Sequence, residues 1–141
     1  MNKLSPFHLA VPVSDLKKSR EFYRKTLGFE EGRSSGHWVD FNFFGHQLVI
    51  HLQEKAKNPS NNSNSVDGKE VPIPHFGVVL PWDSFGEFAE RLKKQKIPFI
   101  IEPSVRFKGK TGEQMTMFFY DPSGNALEFK AFKNNDQLFE K

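Results

Sequence analysis

The chain has no cysteine among its 141 residues. That excludes disulfides, thiolate metal sites and cysteine nucleophiles together. Any metal must be held by His, Asp or Glu, a donor set that suits Fe, Mn, Ni or Zn better than soft ions. Long apolar runs are also missing, so no membrane partner is expected. The opening Met1-Asn2-Lys3-Leu4-Ser5-Pro6 is too short and polar for a signal peptide, which makes the cytoplasm the expected location. Without such a signal, Asn61-Asn62-Ser63 is not read as a glycosylation site. Net charge is small, at +3. Lys93, Lys94 and Lys96 cluster where a helix should end and cations are favoured, and no basic stripe with aromatic platforms marks a nucleic-acid partner.

What the chain has in excess is phenylalanine, with 16 copies. Few such positions suffice for a core, so one domain of this length is expected. Two stretches look alike. Phe7-His8-Leu9-Ala10-Val11-Pro12-Val13 reads as a strand and leads into a helix from Ser14-Asp15 to Leu27. Either polar residue can cap that helix and Gly28 can end it. Strand-like runs follow, His37 to Phe44 and Gln47 to Leu52, with Gly45-His46 as the turn. The pattern then restarts. His75-Phe76-Gly77-Val78-Val79-Leu80 reads as a strand, about Asp83 to Lys96 as a helix, and Ile97 to Ile101 as a strand entry. Gln114 to Tyr120 and Asn125 to Phe132 are strands around the turn Asp121-Pro122-Ser123-Gly124. The expected fold is therefore α+β, built from paired βαβββ modules by internal duplication. Module one spans about 5–53 and module two about 75–133, within a single domain of residues 1–141. Between them 54–74 is polar and reads as a mobile linker or lid, and 134–141 should fray.

Strand side chains alternate between faces. Phe7, Leu9, Val11 and Val13 are the greasy set of the first strand, which sends His8 to the other face. By the same parity His75, His51 and Glu128 lie off the core face of their strands. A lone histidine on the outer face of a sheet is usually just solvated. Four polar groups at repeat-related places point instead to a site, and two His with one carboxylate around an open face is a known Fe(II) arrangement. Trp38, Asp40 and Asn42 share a face that can line such a cavity. Arg106 and Lys108, in an expected loop before the Gln114 strand, can hold a substrate carboxylate, although a solvated loop is the simpler account. His46, at a turn, reads as structural.

Four segments carry a family resemblance: His8-Leu9-Ala10-Val11, Phe22-Tyr23-x-x-x-Leu27-Gly28-Phe29, His75-Phe76-Gly77-Val78 and Asp121-Pro122-Ser123-Gly124-Asn125-x-x-Glu128. Together they resemble the vicinal oxygen chelate superfamily, which contains glyoxalase I, bleomycin-resistance proteins, methylmalonyl-CoA epimerases and extradiol dioxygenases. The stretches Gly45 to Val49, Pro74 to Leu80 and Asn125 to Lys130 look most like small proteins described as extradiol-type dioxygenases.

The resemblance implies sheets curled around a divalent metal, Fe(II) first with Mn, Ni or Zn as alternatives, held by His8, His75 and Glu128. Glyoxalases place a fourth ligand, usually Glu, on the fourth strand, and epimerases place Gln there. His51 stands on that strand here, and in extradiol dioxygenases a His on it serves as an acid–base group. The dioxygenases also carry a Tyr three residues before the Asp-Pro-Ser-Gly turn, where this chain has Phe118; Tyr120 is the nearest tyrosine. The implied activity is ring cleavage of a small catechol-like substrate, with Tyr120, Trp38 and Arg106 as substrate-binding residues. A glyoxalase- or epimerase-type lyase or isomerase and a small-molecule resistance protein are the alternatives. A homodimer is compatible with all three.

Overall fold

A computed structural model describes residues 3–54, 62–66 and 68–141. The element order is β1 (His8–Val13), α1 (Leu16–Glu21), β2 (Glu30–Ser34), β3 (Trp38–Phe43), β4 (His46–Leu52), β5 (Asn62–Val66), β6 (Lys69–Ile73), β7 (His75–Phe76), α2 (Trp82–Lys94), β8 (Phe99–Arg106), β9 (Gln114–Tyr120) and β10 (Ala126–Phe132). The fold is α+β, mostly strand, with mixed open sheets. The chain forms two compact units, Met1–Asn58 with Asp121–Asn125, and Pro59–Tyr120 with Ala126–Lys141. No helix among the described residues is long and apolar enough to cross a membrane.

In the first unit the sheet order is β1-β4-β3-β2, with β1 parallel to β4 and the other pairs antiparallel. Asp15 caps α1, its carboxylate accepting from the Lys18 N–H at 2.9 Å. The helix loosens into a π turn over Phe22–Thr26 and stops at Gly28, whose φ of 82° suits a residue without Cβ. This layer buries Tyr23 and Leu27 with Val11, Val13, Phe41, Phe43, Leu48 and Ile50. Phe7, expected in this greasy set, is 63% exposed because it precedes the first paired residue of β1. The β3–β4 turn is Phe44-Gly45 rather than Gly45-His46. Phe43 pairs His46, so two residues close the hairpin, and both have positive φ, 53° and 87°. Residues 121–125 fold as the expected turn. Asp121 accepts from the Tyr23 hydroxyl, the Ser123 and Asn125 N–H groups and the Asn125 amide.

The second unit has the order β7-β10-β9-β8, again with the first pair parallel. Its α2 layer packs Phe85, Phe88, Ala89 and Leu92 over Met117, Phe119, Leu127 and Phe129. Phe88 meets Phe129 edge-on at 4.9 Å, and Phe129 stacks on Phe119 at 5.8 Å. The segment expected as a polar linker contains a hairpin, β5 with β6, turning at Gly68 (φ 77°). Its Val71 is buried with Ile101 and Phe118, an apolar anchor that the surrounding polar residues mask in the sequence. Positions 55–61 and 67 of that segment lie outside the described residues. The tail is tied down in part. Asn135–Gln137 forms a 3-10 turn capped by Asn134, and the Gln137 side chain accepts from the Gly112 N–H.

Candidate metal centre

In the second unit β7 and β10 run side by side, with His75 paired to Ala126, the residue two before Glu128. His75 Nε2 lies 2.9 Å from Glu128 Oε2. Both side chains are held from behind. His75 Nδ1–H donates to the Pro72 carbonyl at 2.7 Å, which turns Nε2 toward Glu128, and the Thr116 hydroxyl donates to Glu128 Oε1 at 2.8 Å. Glu128 is 7% exposed. Burial pushes its carboxyl up, but the hydrogen bond from His75, the Lys130 ammonium at 3.6 Å and Thr116 together hold it below its ordinary value. His75 moves the other way. Its hydrogen bond to Glu128 raises it against the lowering effect of burial.

This pairing depends on Gly77. A Cβ there would fall on the carbonyl oxygen of Glu128. Glycine is what permits β7 and β10 to lie this close and sets the carboxylate against the imidazole. A cavity of about 240 Å3 opens beside the pair, lined by Phe76 to Val79 and Lys130.

The first unit carries a second nitrogen–oxygen pair. His8 Nδ1 lies 2.8 Å from Gln47 Oε1, and Gln47 Nε2 donates to buried Asp40 at 3.2 Å, which orients the amide. The parallel register places Gln47, not His51, beside His8. His51 lies opposite Pro12 and Trp38, four residues farther along β4, or about 13 Å at strand rise. It is exposed. A cavity of about 400 Å3, lined in part by Glu30, Asp40, Asn42 and Gln47, lies on this unit. His46 is structural here, its Nδ1 accepting from the Phe7 N–H at 2.8 Å.

The expected substrate residues belong to different units. Trp38 sits across from His51, half-buried. Tyr120 ends β9 opposite Ala126, which itself pairs with His75, and it is partly exposed. Arg106 is not in a loop. It closes β8 and is 5% exposed, because the strand runs on past irregularities in its pairing with β9.

Whether these residues suit a divalent ion is testable on their spacing. Two donors about 2.1 Å from an octahedral ion, at right angles, lie about 3 Å apart. Both the His75–Glu128 and the His8–Gln47 pairs have that separation, and imidazole with carboxylate or amide oxygen is chemistry that borderline divalent ions accept. Among the described residues no three of His, Cys, Asp or Glu gather as a metal group. The donors come in twos, and one of the four is a glutamine. Four contributors were not foreseen from sequence: Gln47, Gly77, Thr116 and the Pro72 carbonyl. Only Gly77 left a signal, since it replaces the Ala10 of the first copy.

Known proteins resemble this chain over most of its length. A family model described as the glyoxalase/bleomycin resistance protein/dioxygenase superfamily matches residues 5–129. A crystal structure of a glyoxalase/bleomycin resistance protein/dioxygenase from Alicyclobacillus acidocaldarius is 32% identical, covers 96% of each chain and superposes with a TM-score of 0.78. A genomically encoded fosfomycin resistance protein from Listeria monocytogenes shares the fold at 20% identity and TM-score 0.65, covering 97% of this chain and 98% of its own. A virulence protein of Salmonella typhimurium is 23% identical over 125 residues, 89% of this chain and 82% of that protein. The chain belongs to the glyoxalase/bleomycin resistance protein/dioxygenase superfamily.

Proposed function

We propose that the chain is a divalent-metal-dependent enzyme acting on a small molecule through two neighbouring substrate oxygens, with His8, Gln47, His75 and Glu128 as the metal donors. The observation that carries this reading is the His75–Glu128 pair, locked by Pro72 and Thr116 at the spacing of two cis ligands. When bound, the ion would supply Lewis acidity to the chelating oxygens. The chain's own part is orientation. Pro72 keeps the proton on His75 Nδ1, Thr116 fixes one carboxylate oxygen so that the other points to the ion, and Asp40 turns the Gln47 oxygen toward His8.

Within that reading we favour a glyoxalase- or epimerase-type lyase or isomerase over a ring-cleaving dioxygenase. The dioxygenase reading asks for a redox-active ion, Fe(II) above all, and an acid–base histidine beside it. His51 was the candidate, and its place four residues past Gln47 lends that role no support. Gln47 beside His8 suits the four-donor alternative.

Metal analysis of anaerobically purified protein tests both levels. His75→Ala and Glu128→Ala should each lose most bound ion, Gln47→Ala should weaken it about 10-fold or more, and His51→Ala should leave it unchanged. Nickel, zinc or manganese in the parent supports the favoured branch and iron returns the dioxygenase. Full metal occupancy in His75→Ala would sink the donor assignment.

A further inference from the structure

Among the described residues Arg106 is the one buried guanidinium, and two of its nitrogens, Nε and Nη2, are sealed from solvent without a hydrogen-bond partner there. Ser104 Oγ is in the same condition. The two are neighbours on one face of β8, since Ser104 pairs with Thr116 and Arg106 with Gln114. That face is the one bearing Phe118 and Glu128, which pair with each other across β9 and β10. The Phe118 ring touches both groups, with the His75 ring centre 5.0 Å and the Arg106 guanidinium 5.7 Å from its own centre.

A buried guanidinium normally meets a carboxylate or a cluster of carbonyls, because burying its charge unpaired is costly. Contact with the Phe118 ring offsets part of that cost but satisfies no N–H. The vacant donors are a planar fork and a hydroxyl two residues along the strand, an arrangement matched to the oxygens of one planar or tetrahedral oxyanion. We infer that Arg106 and Ser104 form an oxyanion-binding subsite, so that the substrate carries a carboxylate or phosphate-type group near its chelating oxygens. This deepens the proposed function and rests on reading the His75–Glu128 face as the substrate face. Arg106 is here a binding residue and takes no part in the bond changes.

The test separates this inference from the metal assignment by working on chelator-treated protein in chloride buffer. Thermal unfolding is followed while inorganic phosphate or acetate is titrated in. At least one anion should raise the parent's Tm saturably, and phosphate against acetate tells the two chemistries apart. Arg106→Met should bind that anion at least 10-fold more weakly, Arg106→Lys should fall between, and Ser104→Ala should lose a few-fold. In anion-free buffer Arg106→Met should match or exceed the parent's Tm, because an unpaired buried charge has been removed. Should that variant not fold, Arg106→Gln carries the same comparison. Metal content of the Arg106 variants should equal the parent's, so loss of anion binding with metal retained isolates this subsite. The inference is overturned if neither anion shifts the parent, if Arg106→Met binds as the parent does, or if it is less stable than the parent without anion, which would mark Arg106 as a structural ion.

Discussion

β1 and β7 hold equivalent places in their sheets, and they differ in how they hold them. Each starts with a histidine and lies parallel to the last strand of its own unit's sheet segment, β4 or β10. β1 pairs along six residues in unbroken register. β7 pairs over two, and its continuation is hydrogen-bonded to β10 again at Val78 and Leu80, flanking the bridge of Val79 to Lys130. The sequence difference beneath this is Ala10 in one and Gly77 in the other. Ala10 is exposed on a regular ladder, whereas Gly77 presses against the carbonyl of Glu128. Where β1 keeps a ladder, β7 makes a close approach, and that approach is what brings a buried carboxylate to the histidine.

Exchanging the two residues should break the comparison most visibly. Gly77→Ala must push β7 off β10, so its expected cost is at the upper end of overpacking, about 3 kcal/mol or more, with loss of metal binding. Ala10→Gly removes only strand stiffness from an exposed position, about 0.5–1 kcal/mol, and should leave metal content unchanged. Urea denaturation with metal analysis reads both. Equal small costs at the two positions would show that the close approach is not needed.

The same contrast explains what could be read without coordinates. Helix caps, the Asp121 to Gly124 turn and the strands carrying His8, His75 and Glu128 were legible because each is written in neighbouring residues. Gln47 was not, because its place beside His8 depends on the parallel register of two strands far apart in sequence, and parity alone gave His51 equal standing. Arg106 was placed in a loop because no local signal says that β8 continues through two register shifts. The β5–β6 hairpin was hidden by its polar composition, with Val71 and Pro72 as its buried residues among those described.

The helix layers differ as well. Aromatic rings pack in both units, but in the first a buried tyrosine also donates to a buried aspartate, Tyr23 to Asp121 at 2.8 Å. Burial first, and then the charge of Asp121 and the hydrogen bond to it, push the Tyr23 hydroxyl well above its ordinary value. Its neutral form is therefore favoured in the folded state. The stability this provides is complete below the unfolded tyrosine's pKa of about 10 and is lost as pH rises beyond it. Tyr23→Phe should cost about 1.5 kcal/mol at pH 7, the low end for a bond to a charged acceptor, since Asp121 keeps its other donors. The gap between parent and variant should narrow above about pH 10. A constant gap across alkaline pH would mean that Tyr23 acts only by its shape.

A smaller effect is expected at the outer side of the same helix layer. Arg20 forks onto Glu31, with Nε at 2.6 Å and Nη2 at 2.7 Å, and Arg24 stands 3.9 Å away. The hydrogen bond from Arg20 leads the causes that hold the Glu31 carboxyl below its ordinary value, against a smaller opposing effect of burial. A depressed carboxyl favours the folded state above its unfolded pKa, about 4.3, and that contribution disappears as pH falls through the lower folded value. Arg20 is 37% exposed at its side chain, so water and salt screen much of the attraction. Arg20→Gln should therefore cost under about 1 kcal/mol at neutral pH. The difference should fade in molar salt and shrink as pH falls through the lowered folded value of Glu31. Chemical denaturation of parent and variant at pH 7 and pH 3 measures it. On the α2 layer of the second unit Lys93 meets Glu90 along the helix surface at 3.4 Å. Substituting Lys93 by Gln should then move stability by a few tenths of a kcal/mol at either pH. If the two helices responded alike to acid, the polar fastening assigned to the first unit would be no more than a surface pair, and the contrast between the layers would reduce to Tyr23 and Asp121 alone.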